Sequence, residues 1–292
     1  MIPGRGRFTA VDVAVLSAAA AMGILVAYRI TGIRYTWNWR IIPQYLLRRD
    51  EQSGRVVVNY LLEGALTTVR LSLWSMLLAT ALGTTGGLFR TSRRLLLRML
   101  GRTYVELVRN LPPLVLVFVF YYFASDQIMP LLGVDDLVRF MSGRSLAVVE
   151  FLFAPKSLVT QFLSGVLTVG IFEGAYITEI VRSGIESVER GQREAAHALG
   201  LPWTDEMRFV VMPQAMRRML PPMAGQFIST IKDSAIVSAI SIQELTYQGR
   251  QLATSTGAVF EVWISVAALY LTLTLTLALL TGRLEDRLRR GL

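Results

Sequence analysis

Long apolar stretches alternate with short polar ones along this chain, and several of the apolar stretches reach the roughly 20 residues that cross a bilayer as a helix. Six spans can be drawn, at about 11–30, 58–88, 104–125, 158–181, 222–243 and 258–281. The pattern predicts an all-α, polytopic integral membrane bundle. The span at 58–88 exceeds what an upright helix needs, so it is expected to tilt or to continue beyond the membrane. Arg5 and Arg7 precede the first span in the manner of a signal peptide. That run is long for a signal core and no small-x-small cleavage site follows it, so it reads as a retained helix.

The segments between the spans differ in kind. Arg34 to Arg55 mixes arginines with Tyr35, Trp37, Trp39 and Tyr45. It is expected to form an amphipathic helix in the outer membrane interface, where aromatic rings settle; a solvated loop is the alternative. Asp126 to Lys156 is mixed and reads as an external connection with a short helix. Gly83 with Gly87, and Gly170 with Gly174, are small-xxx-small pairs that let helix backbones approach. They serve either packing within the chain or contact with a second subunit. Arg109-Asn110-Leu111-Pro112-Pro113 should break the third span near its start, and Pro221-Pro222 should open the fifth.

Arginine fixes an expected orientation. Arg90, Arg93, Arg94, Arg98 and Arg102 fall in a short basic loop, which belongs on the cytoplasmic side. Counting spans from there puts the N-terminus, the polar region near residue 194 and the C-terminus, with Arg283 and Arg287, on that side as well.

Composition narrows the chemistry. Of 292 residues, 53% are hydrophobic, and there is no cysteine and a single histidine, His197. Mean hydropathy is +0.47. Disulfides, thiolate nucleophiles, Cys-ligated metals, His-based metal sites and His triads are therefore excluded. The formal charge of +9 reflects arginines that flank apolar blocks, as in a membrane protein rather than a nucleic-acid binder. No catalytic set stands out and no Gly-x-x-x-x-Gly-Lys-Ser/Thr occurs, so any ATP must be bound by another polypeptide.

The most specific stretch is polar. Glu194-Ala195-Ala196, three residues, Gly200, nine residues, Val210, one residue, Met212 and Pro213 read as a helix, a glycine break, and a second helix stopped by proline. This spacing resembles the EAA loop of ABC importer permeases, with Val210 and Met212 in place of the more usual Ile and Leu. Ala195, Ala196 and Ala198 favour a compact helix. Glu194, at its N-terminal end, suits the helix dipole and can pair with an external cation; Gly200 permits a sharp turn. Further stretches resemble the polar amino acid branch of these permeases: Leu66 to Ser72, Val105 to Asn110, Ala175 to Ile185, Gly191 to Ala196 and Lys232 to Ser238. The resemblance covers about residues 58–285.

It implies a type I ABC importer-like permease, not itself an enzyme, in a bacterial cytoplasmic (inner) membrane. Two permease subunits, identical or paralogous, would form the pore. Two ATPase subunits would hold ATP and Mg and dock on Glu194, Ala195, Ala196, Gly200 and Pro213. A periplasmic or extracellular solute-binding protein would deliver an amino acid. On this reading residues 1–57 are a transmembrane helix with an external amphipathic segment. Residues 58–285 are the permease domain, with its docking loop at 185–220, and 286–292 are a basic cytoplasmic tail.

Ionisable groups inside membrane spans are costly and default to functional candidates. These are Glu106 and Arg109 on the third span, Glu173, Glu179 and Arg182 on the fourth, and Lys232 with Asp233 on the fifth. Glu106 with Arg109, and Glu179 with Arg182, stand at i,i+3, so mutual pairing at the cytoplasmic interface competes with a role in the pathway. Lys232-Asp233 reads more as a packing or gate pair than as a substrate ligand. Glu173 is deepest and is the favoured pathway residue. A secondary transporter with Glu173 as its ion site, and a membrane scaffold without transport, are the rival functions.

Overall fold

The computed structural model describes residues 10–31, 35–50 and 54–290. The expectations for Arg5, Arg7 and Arg34 lie outside these residues. The chain falls into two compact units, divided between Trp39 and Arg40.

The first unit holds helix α1, Ala10–Thr31. Between Asp12 in its first turn and Arg29 near its end it shows no polar stripe, as a helix surrounded by lipid would not. After it, Tyr35 meets Trp37 edge-on at 5.1 Å, and Trp37 stacks on Trp39 at 5.9 Å.

The second unit opens differently from the expected amphipathic helix. After a short helical turn at Ile42–Leu46, Leu47–Arg49 (β1) and Val56–Val58 (β2) pair as an antiparallel hairpin. Three consecutive β-branched valines favour a strand over a helix, and Gly54 takes a φ of +65° in the connection. Asn59 closes the motif: its Nδ2 donates to the Gln44 carbonyl at 2.6 Å, and its backbone N–H to that of Leu46 at 2.9 Å.

The bundle is built around α2 (Tyr60–Arg90) and a long, largely buried helix, α5 (Val159–Glu186). Small residues explain their close approach. A Cβ on Gly83 would lie 2.5 Å from Ile177, and one on Gly170 would lie 2.6 Å from Leu78. One on Gly174 would lie 2.7 Å from the Tyr104 hydroxyl. Both small-xxx-small pairs are thus consumed in packing within the chain, not at a subunit contact. Gly83→Val should destabilise the purified protein by about 1–3 kcal/mol through overpacking, read as a fall in its thermal unfolding temperature in detergent.

Between these helices lie α3 (Leu95–Asn110) and α4 (Pro113–Phe123), separated where Leu111-Pro112-Pro113 was expected to break the helix. The basic segment is not a loop throughout. Helix α3 starts at Leu95, so Arg98 and Arg102 sit on a strongly amphipathic helix. The connection expected at Asp126 to Lys156 starts later than that, since the helical stretch from Pro113 runs to Leu131, and it contains two short helices rather than one, Val134–Phe140 and Gly143–Leu152.

Helix α6 (Arg190–Ala198) follows α5, and α7 runs from Met212 to Asp233 and continues as a tighter turn to Ile240. Pro213 does not stop a helix; it lies in the first turn of α7, directly after a π-helical stretch at Glu206–Val211 that continues into it. Pro221 and Pro222 stand inside α7 instead of opening it.

Helices α8 (Leu245–Thr256) and α9 (Val259–Arg290) complete the bundle. Leu271 to Leu277 alternates Leu and Thr, a strand-like period. It is nevertheless helical, because Thr272, Thr274 and Thr276 each donate to the carbonyl four residues back at 2.7–2.9 Å. In lipid the backbone must satisfy itself, and these bonds hide the hydroxyls too.

Among the described residues, four helical stretches are long and apolar enough to cross a membrane: Tyr60–Arg90, Pro113–Leu131, Lys156–Glu186 and Val259–Arg283. Of the other two expected spans, one is α1. The other is α7, which carries Arg217, Arg218, Lys232 and Asp233.

Candidate docking element and membrane cleft

The Glu194 region is a rigid, solvent-facing elbow. Helix α6 ends in a Schellman turn: the N–H of Leu201 donates to the Ala196 carbonyl at 3.1 Å, and that of Gly200 to His197 at 2.9 Å. Gly200 takes the left-handed φ of +75° that this closure demands. Pro202 follows, then a turn at Trp203–Asp205 and a wider π-helical segment at Glu206–Val211 leading into α7.

Glu206 is 2% exposed, and its Oε2 lies 3.2 Å from His197 Nε2. This contact draws the two arms of the elbow together. Arg193 donates to the Ile185 carbonyl at 2.8 Å, and Arg218 to that of Ser187. Ile185 lies in the last turn of α5 and Ser187 is the residue that caps it, where helix carbonyls lack their full set of helical partners. The two arginines therefore bolt the elbow to the helix that carries Glu173.

Ala196 faces inward, 2% exposed, while Glu194, Ala195, Gly200 and Pro213 are exposed. Glu194 is the fifth residue of α6, not in its first turn. The helix dipole, which acts within that turn, is therefore not its role. Its carboxylate makes no ion pair among the described residues and is available to an external cation. Three apolar side chains share the exposed surface: Leu199 at 80%, Phe209 at 64% and Trp203 at 45%. Sequence reasoning passed over them, although three large apolar residues in an otherwise polar loop were the available signal.

The membrane candidates divide. Glu179 bonds Arg182, with Oε2 3.0 Å from Nη2, and also pairs with Arg90 at the end of α2. Arg182 reaches Glu186 as well. Here the pairing reading holds, widened into a network joining α2 to α5. The other expected pair does not form. Glu106 bonds Arg102 Nε at 2.6 Å, one helical turn back at i,i+4, where side chains also share a face. Arg109 instead places its guanidinium over the Tyr176 ring at 5.2 Å, a cation–π contact.

Tyr176 leads to an open cleft of about 470 Å³ between α4, α5 and α7. Lys232 and Asp233 line it, with Phe172, Gln226 and Ser229. Glu173 is fully buried behind this wall. Its Oε2 accepts from Gln226 Nε2 at 2.6 Å, and its Oε1 has no hydrogen-bond partner among the described residues. Gln226 is thus the side chain between the deepest carboxylate and the cleft. Only charged groups were scored in the sequence, so it was missed. Its signal was spacing, since residues 226, 229 and 233 fall on one helical face.

The chain is similar to proteins of known role. The glutamine transport system permease protein GlnP of Escherichia coli (strain K12) is 33% identical over 232 residues, covering 80% of this chain and 94% of GlnP. The glutamate/aspartate import permease protein GltJ of the same strain is 28% identical, covering 87% and 95%. Among solved structures, the chain in "Crystal structure of an amino acid ABC transporter with histidines" superposes with a TM-score of 0.61 at 29% identity. It covers 78% of this chain and 94% of that one. A chain of the MetNI methionine ABC transporter, at 16% identity and a TM-score of 0.60, shares the fold. With its elbow, its bundle and a family match across residues 56–290, this chain belongs to the binding-protein-dependent transport system inner membrane components.

Proposed function

We propose that the chain is the permease subunit of an ATP-driven importer of polar amino acids. The carrying observation is the exposed elbow at Glu194, closed at Gly200 and bolted by Arg193 and Arg218 to the helix of Glu173. Such an elbow converts movement of a docked partner into movement of a membrane helix. Two ATPase subunits, holding ATP and Mg, dock on it, and a second permease, identical or paralogous, completes the pore. A solute-binding protein supplies substrate from outside. The elbow and both chain termini face the cytoplasm, as the arginine distribution favours. ATP binding opens the pore outward and hydrolysis resets it.

The names of GlnP and GltJ support an amino acid as cargo. An amino acid presents a carboxylate and an ammonium, and the cleft offers Lys232 and Asp233 side by side with Gln226. Co-purifying the assembled complex and measuring ATPase stimulation across amino acids, with the binding protein present, tests the reading. A complex without an ATPase, or uptake driven by an ion gradient after ATP depletion, overturns it.

The apolar part of the elbow makes its own prediction. Phe209→Asp places a charge where a docked partner would bury a ring. ATPase recovered with the permease should fall about tenfold or more, as for loss of an interface anchor of about 2 kcal/mol. Quantitative co-purification at matched permease levels reads this out.

A further inference from the structure

A second cavity lies at the end of the bundle remote from the elbow, the outer end in the proposed orientation. It has a volume of about 340 Å³, at the small end of the range of about 300–1,000 Å³ for ligand pockets. Its walls are the start of α2, the segment around Glu150 and Leu158, and the turn into α8. All belong to the second unit, and none lines the Glu173 cleft.

The chemistry of its walls is unspent. Glu63 and Arg70 both face it from α2, and neither makes an ion pair among the described residues. The Arg70 guanidinium lies 5.8 Å from the centre of the Phe151 ring. Gln248 is 8% exposed and lines the cavity, and its carboxamide makes no hydrogen bond among the described residues. The amide is therefore open to whatever occupies the cavity, and a polar ligand there can take its N–H donors and its carbonyl oxygen.

The protein holds this amide firmly. Glu244 caps α8, accepting from the N–H of Thr246 at 2.9 Å and of Tyr247 at 2.8 Å, while the Tyr270 hydroxyl donates to it at 2.7 Å. Gly64 lets α8 press against α2, since a Cβ there would lie 2.9 Å from both Leu245 Cα and Gln248 Cγ. Other polar walls are already engaged. Glu150 accepts the Lys156 N–H at 3.1 Å, and Gln161 donates to the Ser241 carbonyl at 3.1 Å.

We propose that this cavity is an outer amino-acid site, separate from the Glu173 cleft, where a zwitterion is held before it enters the membrane. Arg70 and the Gln248 amide take the carboxylate, and Glu63 takes the ammonium. The walls carry one guanidinium, Arg70, and two carboxylates, Glu63 and Glu150, beside the Gln248 amide, so a small zwitterion finds a partner of opposite charge at each end. The site rests on the import reading for which end is outer.

The absence of cysteine gives a direct test. A Gln243→Cys reporter at the rim is labelled with a membrane-impermeant maleimide in the reconstituted complex, with cysteine-free partners and each of the common amino acids in turn. At a concentration about ten times its Kd, a bound amino acid should slow labelling about tenfold, since protection scales as 1 + [L]/Kd. Protection should survive Gln226→Ala in the other cleft and disappear with Arg70→Gln. Gln248→Glu, which keeps the volume and opposes the carboxylate, should abolish it too and decides the matter if the arginine variant fails to assemble. Labelling that no amino acid slows overturns the site, as does protection lost in Gln226→Ala but kept in Arg70→Gln. Protection by glycerophosphoethanolamine alone overturns it in favour of a lipid headgroup. Uptake measured on the same vesicles tests import separately, because labelling needs no turnover.

Discussion

The double variant Glu194→Lys, Gly200→Val is expected to abolish uptake while leaving the amount of permease in the membrane unchanged. Glu194 is exposed and unpaired, so reversing it touches nothing inside the fold. At a docked interface it meets a cation, and breaking a buried charged pair costs about 2–5 kcal/mol. Gly200 acts through its backbone. A Cβ there would meet nothing within 4 Å, so no clash arises. The strain comes from the φ of +75°, which costs an L-residue about 1–2 kcal/mol. The Schellman closure should therefore loosen and the elbow should bend. ATP hydrolysis, carried by separate subunits, should persist without transport. Uptake and ATPase activity measured in the same vesicles read out this uncoupling, and normal uptake in the double variant would remove the elbow from the mechanism.

The second large effect is at Glu173. Replacement by glutamine preserves volume and a hydrogen bond to Gln226 but removes the charge. A charged hydrogen bond is worth about 1.5–3 kcal/mol, so uptake should fall roughly tenfold to a hundredfold if the charge acts during transport. Stability should move the other way or not at all. The carboxylate is fully buried and its Oε1 has no hydrogen-bond partner among the described residues, and a buried, half-satisfied ion is a destabilising element. Lower uptake at an unchanged or raised unfolding temperature is therefore the expected pair of results. Unchanged uptake would show that Glu173 is a packing residue and leave Gln226, Lys232 and Asp233 as the cleft's chemistry.

Much of the fold was legible because lipid enforces it. An apolar run of about 20 residues has to be helical, so the cores of most spans lie where hydropathy puts them. The elbow was legible because its spacing is specific, and Gly200 takes the conformation its position required. The hairpin at 47–58 was not. There, amphipathic composition pointed to a helix, while three valines and a glycine turn carried the opposite local preference. Pro213, Pro221 and Pro222 were misread as boundaries for a related reason. A proline shows that one N–H is absent, not whether the surrounding helix tolerates the loss.

Side-chain partners divide in the same way. Helical spacing proposes Glu106–Arg109 and Glu179–Arg182 equally, and only the second forms. Arg102 is available one turn back from Glu106, and Tyr176 from a neighbouring helix draws Arg109 away. Gln226 acquires its importance from Glu173, 53 positions away in the chain.

By itself, then, the sequence determined that this protein is a membrane helical bundle with an exposed polar elbow of a recognisable kind. Those features depend on local period, composition and backbone chemistry. Tertiary structure alone decided which glycines meet which helix, which charges pair, and which polar groups face a cavity. Each of those outcomes depends on distances between segments far apart in sequence, and such distances are set by how the helices pack.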